Sequence, residues 1–92
     1  MERLEVRFTG HVQGVGFRYT THRIARRWRV VGYVENRPDG AVFLAAEGER
    51  EELQGFLDEV ESELESNIGK AETHWYANSG EWSEFVIRRS PE

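Results

Sequence analysis

At Phe17 the spacing of apolar residues changes from every second position to every third or fourth, and it alternates again before the chain ends. This alternation limits the fold more than any other feature, because the period of an element decides which face it can bury. In "LEVRFTGHV" (4–12), Leu4, Val6 and Phe8 alternate with Glu5, Arg7 and Thr9, the pattern of a half-buried strand. Phe17, Thr21, Ile24 and Trp28 then recur at helical spacing, with Arg23, Arg26, Arg27 and Arg29 on other faces. "VVGYVEN" (30–36) reads as a second strand and "AVFLAAEG" (41–48) as its hairpin partner. Between them "RPDG" (37–40) is a turn, in which Pro38 presets φ and Gly40 tolerates a positive one. Leu53, Phe56, Leu57, Val60 and Leu64 predict a helix over 49–66 that stops at Asn67 or Gly69. Gly55 costs that helix about 1 kcal/mol relative to Ala. "AETHWYA" (71–77) and "EWSEFVIR" (81–88) read as strands around an "NSG" turn at 78–80.

The order is therefore β-α-β-β-α-β with an extra C-terminal strand. Its natural packing is an α+β sandwich of the ferredoxin-like kind, a single domain over 1–92 with one mainly antiparallel sheet and two helices on one face. Three Trp, three Tyr and five Phe give so short a chain enough large side chains for one core. The absence of cysteine excludes a disulfide scaffold, a thiolate metal site and a cysteine nucleophile together. No apolar run approaches a membrane span, and the N-terminus lacks the charged, apolar and small-residue regions of a signal peptide. A cytoplasmic protein is expected.

This topology has a consequence for a site. A helical crossover leaves the first two strands parallel, and the third, hairpinned to the second, fits between them. The C-terminal ends of strands one and two then share one sheet edge, two strand spacings or about 10 Å apart. The stretch "GHVQGVGFR" (10–18) leaves the first strand at that edge, and Asn36 ends the second there. Two polar features, eighteen residues apart from Arg18 to Asn36, are expected to face one small pocket.

In the first turn of a helix, unsatisfied N–H groups converge at the positive end of the dipole. That is an anion site, and glycines let the backbone approach a ligand closely. Arg18 in that turn is unfavourable by a few tenths of a kcal/mol (roughly) until an anion lies between it and the amides. A guanidinium can then clamp two phosphate oxygens. The stretch satisfies neither common nucleotide-loop motif, and the residues alone fit equally a tight strand-to-helix turn followed by a solvent-facing arginine. Charge favours a small anion over a polyanion. The net charge is −5, but residues 1–34 carry seven Arg against two Glu, whereas residues 35–68 carry two Arg against eleven acids.

"GHVQGVGFR" at 10–18, with "GYVENRPDGAV" at 32–42 and "EG" at 47–48, closely resembles the acylphosphatase family. The resemblance is specific over the first half of the chain; beyond residue 48 only the element order and the closing "FVIR" agree. It implies the ferredoxin-like fold and hydrolysis of carboxyl-phosphate anhydrides to a carboxylate and phosphate, by a monomer acting on a small-molecule acyl phosphate. No cofactor, metal, nucleic acid or membrane is implied. The phosphoryl group would be held by Arg18 and by loop amides across Gln13, Gly14, Val15, Gly16 and Phe17, and Asn36 would position the attacking water. The chain departs from the family pattern in three places. Arg37 follows Asn36 where a threonine is common, adding a second cation to consider. Glu35 precedes it, on the opposite face by strand alternation. "ESNIGKAE" (65–72) replaces the usual segment after the second helix.

Other polar residues are read more simply. His22 is a solvated or capping side chain, and His11 and His74 are structural or exposed, with no metal-ligand spacing. The acids over 58–65 are a solvated helix face, and Trp28, Trp75 and Trp82 are core or sheet-face aromatics. Thr20 and Thr21 have no base beside them. Two other functions share these features: a phosphate-binding module without turnover, and an RNA-binding sheet, which would need exposed aromatics beyond Phe8 and Phe43.

Overall fold

Leu4, Val6 and Phe8 are fully buried, while the residues between them are partly exposed. The alternation read from the sequence is therefore that of a strand lying over the core. A computed structural model describes residues 1–89 and gives the order β1 (Glu2–Gly10), α1 (Phe17–Ala25), β2 (Val31–Asn36), β3 (Val42–Gly48), α2 (Arg50–Glu63), β4 (Ile68–Ala77) and β5 (Phe85–Arg88). The five strands form one sheet in the order β4-β1-β3-β2-β5. β3 is antiparallel to both β1 and β2, so those two run parallel, and the ferredoxin-like arrangement is as expected.

One layer of core joins the sheet to both helices. Phe8, Val34 and Leu44 meet Phe17 and Ile24 of α1 and Leu53, Phe56 and Val60 of α2. Gly55 has a packing reason: a Cβ there would lie 2.3 Å from the ring of Trp28. The indole Nε1 of Trp28 donates to Glu59 at 2.9 Å, fixing the ring against α2. α1 is shorter than the sequence suggests. After Ala25 the chain tightens, with Arg27 and Trp28 donating to the carbonyls of Ile24 and Ala25, so Trp28 extends the apolar stripe from a turn.

The "RPDG" turn forms as expected, with Gly40 N–H donating to Arg37 O at 3.1 Å and Gly40 at φ 95°. The segment after α2 is short. Asn67 and Ile68 both donate to Leu64 O, and β4 begins at Ile68, three residues before the expected start.

The C-terminal strands correct the sequence reading. β4 and β5 do not flank a hairpin turn: β4 is antiparallel to β1 at one edge, and β5 is parallel to β2 at the other. Residues 78–84 cross the helix-free face between them. Glu47, buried on that face, accepts hydrogen bonds from Ser79 N–H, Ser79 Oγ–H and Gly80 N–H, while Trp82 packs against Tyr33 with ring centroids 5.0 Å apart and the planes tilted by 44°. No turn forms at 78–80: Gly80 takes a positive φ of 73° and the Glu81 amide donates to Ser79 Oγ at 3.2 Å, but the other partners of the segment lie across the sheet.

Candidate active site

β1 and β2 bring the two sequence features to one edge. Phe8 on β1 and Asn36 on β2 both pair with Val42 of β3, so they stand two strand spacings apart, about 10 Å. From Gly10 the chain leaves the sheet and turns into α1 through Gly14 and Gly16, with φ of 76° and 77°. Those left-handed conformations favour glycine, and Gly16 is the N-cap of the helix.

The start of α1 is open. Its N-cap makes no side-chain hydrogen bond, and its first turn holds no acidic residue. Thr20 N–H donates to Gly16 O at 3.0 Å, the first bond of the helix, which leaves the amides of Phe17, Arg18 and Tyr19 without intrahelical acceptors. Five features meet here in a cavity of about 220 Å³: Gly14, Gly16, the first-turn residues Phe17, Arg18 and Tyr19, the floor of Val12, and Asn36 from β2. Arg18 is half-buried, and its side chain makes no ion pair or hydrogen bond with other described residues. Asn36 is half-buried at the end of its strand and has a polar partner.

Gln13 and Val15 belong to the same loop but do not line this cavity. Val15 packs against the core. The Gln13 side-chain amide donates to the carbonyls of Arg37 and Ala41, at 2.8 Å each, and so ties the loop to the two ends of the β2–β3 turn. Nothing in the local sequence marks this contact, because both acceptors are main-chain atoms. Val12 and Tyr19 also escape a reading by motif; only the helical register of Tyr19 next to Arg18 hints at its place on the rim.

The departures at Glu35 and Arg37 resolve together. Strand alternation turns Asn36 toward the helices and Glu35 toward the helix-free face. There the Glu35 carboxylate lies 3.4 Å from Arg37 and 3.7 Å from Arg88. The Arg37 guanidinium sits over the Phe43 ring, 4.2 Å from its centroid. Arg37 therefore adds no cation to the cavity at Asn36. The same arrangement covers aromatics of that face, since Arg88 lies over Tyr33, and Phe8 is buried in the core.

The remaining candidates stand apart. The Thr21 hydroxyl is buried and donates to Phe17 O at 2.9 Å. His22 faces Phe85, ring centroids 6.3 Å apart, outside the cavity. Among the described residues no three His, Asp or Glu side chains form a group that could hold a metal ion, and no helix is long and apolar enough to cross a membrane.

An open helix start, an uncommitted guanidinium and a side-chain amide facing one small cavity suit a tetrahedral oxyanion. The family model described as Acylphosphatase matches residues 4–87. The chain is 38% identical over 89 residues to an acylphosphatase from Salinibacter ruber, covering 96% of this chain and 94% of that one. It is 53% identical over 60 residues to an acylphosphatase from Thermotoga maritima, covering 65% of this chain and 67% of that one. Among solved structures, the acylphosphatase from Bacillus subtilis superposes with a TM-score of 0.85 at 29% identity, covering 96% of this chain and 99% of the other.

Proposed function

The chain belongs to the acylphosphatase family, and on that premise we propose that residues 1–92, acting as one domain and a monomer, hydrolyse small-molecule acyl phosphates through the cavity between Arg18 and Asn36. The observation that carries the proposal is the convergence of three groups on about 220 Å³: the open amides of the α1 start, Arg18 and Asn36. A water occupies roughly 30 Å³ in the liquid, so the cavity has room for a phosphoryl group and a nucleophile together.

Arg18 and the amides hold the equatorial phosphoryl oxygens, where charge is distributed in the transition state. The Asn36 amide orients a water, its oxygen accepting from the water and its NH₂ donating to the water oxygen. The water oxygen bonds to phosphorus as the bond from phosphorus to the acyl oxygen breaks. The bonding pair leaves on the carboxylate, and the water proton passes to phosphate or solvent. A carboxylate is a stable leaving group, so no general acid is needed, and catalysis is mainly positioning and charge stabilisation.

Steady-state hydrolysis of benzoyl phosphate tests this reading. Arg18→Ala and Asn36→Ala are each expected to lower kcat/KM by about 10²–10³-fold, with unchanged circular dichroism. Variants as active as the wild type would overturn it.

A further inference from the structure

The end of β5 brings a second arginine beside Asn36. β2 and β5 run parallel with Glu35 opposite Arg88, so one residue further on Asn36 and Arg89 stand one strand spacing apart, about 5 Å. Arg88 turns to the helix-free face, where it lies over Tyr33, whereas Phe85 and Ile87 pack on the core side. Arg89 returns to the side of Ile87, and the two line a cavity of about 380 Å³ whose other walls, Arg18 and Tyr19, also line the first. Of the twelve Lys and Arg side chains, eight form ion pairs among the described residues. Arg18, Arg26, Arg29 and Arg89 form none and make no side-chain hydrogen bond with other described residues. Two of these four uncommitted guanidinia share this one cavity.

In hydrolysis at phosphorus the bond to the acyl oxygen breaks while a bond to the water oxygen forms on the opposite side. Substrate and product therefore share three phosphoryl oxygens and differ in the fourth. In the acyl phosphate the fourth oxygen points away from Asn36. In inorganic phosphate it is the former water oxygen, and it points toward Asn36 and so toward Arg89. A guanidinium carries five donors on more than one edge, so Arg18 can keep the shared oxygens while Arg89 donates to the new one. We infer that Arg18 and Arg89 form a product subsite, which binds inorganic phosphate in preference to the phosphoryl group of the substrate and draws it from the α1 amides toward the open cavity. The inference rests on the hydrolase reading above and adds the path of its product.

The test compares ligands that carry the fourth oxygen with ligands that lack it. Product inhibition by inorganic phosphate is measured against benzoyl phosphate hydrolysis in the wild type and in Arg89→Gln. The ratio of the phosphate Ki to the benzoyl phosphate KM is expected to rise about fivefold in the variant at low salt, a modest factor because Arg89 is exposed. The rise shrinks as ionic strength increases. Phenylphosphonate has three oxygens and a carbon in place of the acyl oxygen, so the ratio of its Ki to the same KM is expected to stay constant. A general attraction of anions by Arg89 would instead move all three constants together. A phosphate ratio equal in the two proteins, or phosphate and phenylphosphonate ratios that rise alike, would overturn the subsite while leaving the hydrolase reading intact. Absence of benzoyl phosphate hydrolysis by the wild type would overturn the hydrolase reading and the subsite with it.

Discussion

Gln13 lies in the loop that surrounds the proposed phosphoryl site, yet its side chain acts on the other half of that site. Its two hydrogen bonds reach carbonyls on either side of the turn that follows Asn36. They hold the loop carrying the α1 amides at a fixed distance from the end of β2. Gln13→Ala removes both, a net loss of about 1–3 kcal/mol, and lets loop and strand end drift apart. Hydrolysis by this variant is expected to fall about tenfold in kcat, because small misplacements of positioning groups are costly, while the fold persists. Steady-state kinetics beside thermal unfolding measure both, and an unchanged kcat would remove Gln13 from the account. Arg18 was legible in the sequence because a cation in a first helical turn is locally unfavourable and so requires a reason. Asn36 became legible through topology. Gln13 was readable only as one more loop residue, since its partners are main-chain atoms 24 and 28 residues further on.

At the scale of elements, the segment 78–84 decides where β5 lies, and Glu47 anchors that segment. The carboxylate is 2% exposed and is held by Arg3 Nη1, the Ser79 hydroxyl and amide, and the Gly80 amide. Burial alone pushes its pKa up, but the hydrogen bonds from Ser79, then from Arg3 and Gly80, prevail and hold it below its ordinary value of 4.5. A group whose folded pKa is depressed stabilises the fold above its unfolded value, and that contribution is lost as pH falls through the folded one. Glu47→Gln should therefore cost about 2 kcal/mol at pH 7, with the gap from the wild type closing below pH 4.5. Denaturant unfolding of both proteins across this range measures it, and a gap independent of pH would contradict the clamp. Both helices, the central hairpin and the turn at 37–40 could be read from period and turn chemistry, which are local. The edge positions of β4 and β5 could not. A turn signal such as "NSG" serves a hairpin or a crossing equally, and Glu47 and Ser79, which decide between them, are 32 residues apart.

For the whole molecule, the uneven charge of the sequence takes a definite form. Two of the six acids of α2 pair with arginines of α1 and of the turn after it: Arg23 pairs with Glu63 at 2.8 Å, and Arg27 pairs with Glu59. Arg3 and Arg7 pair with Glu47 and Asp39. Arg18 stays outside these pairs and faces the cavity, so the field of the basic first third is focused where the α1 amides are open. The sheet order β4-β1-β3-β2-β5 completes the arrangement by bringing Asn36 to the same edge. The central claim is thus that one anion is gripped by the helix start and Arg18 together. Titration of ¹⁵N-labelled protein with inorganic phosphate tests it most directly. Saturable shifts of the Gly14, Gly16, Phe17, Arg18 and Tyr19 amides and of the Asn36 side-chain NH₂, lost in Arg18→Ala, are the predicted result. Phosphate shifts centred elsewhere on the molecule, or shifts at these amides that persist in Arg18→Ala, would contradict it.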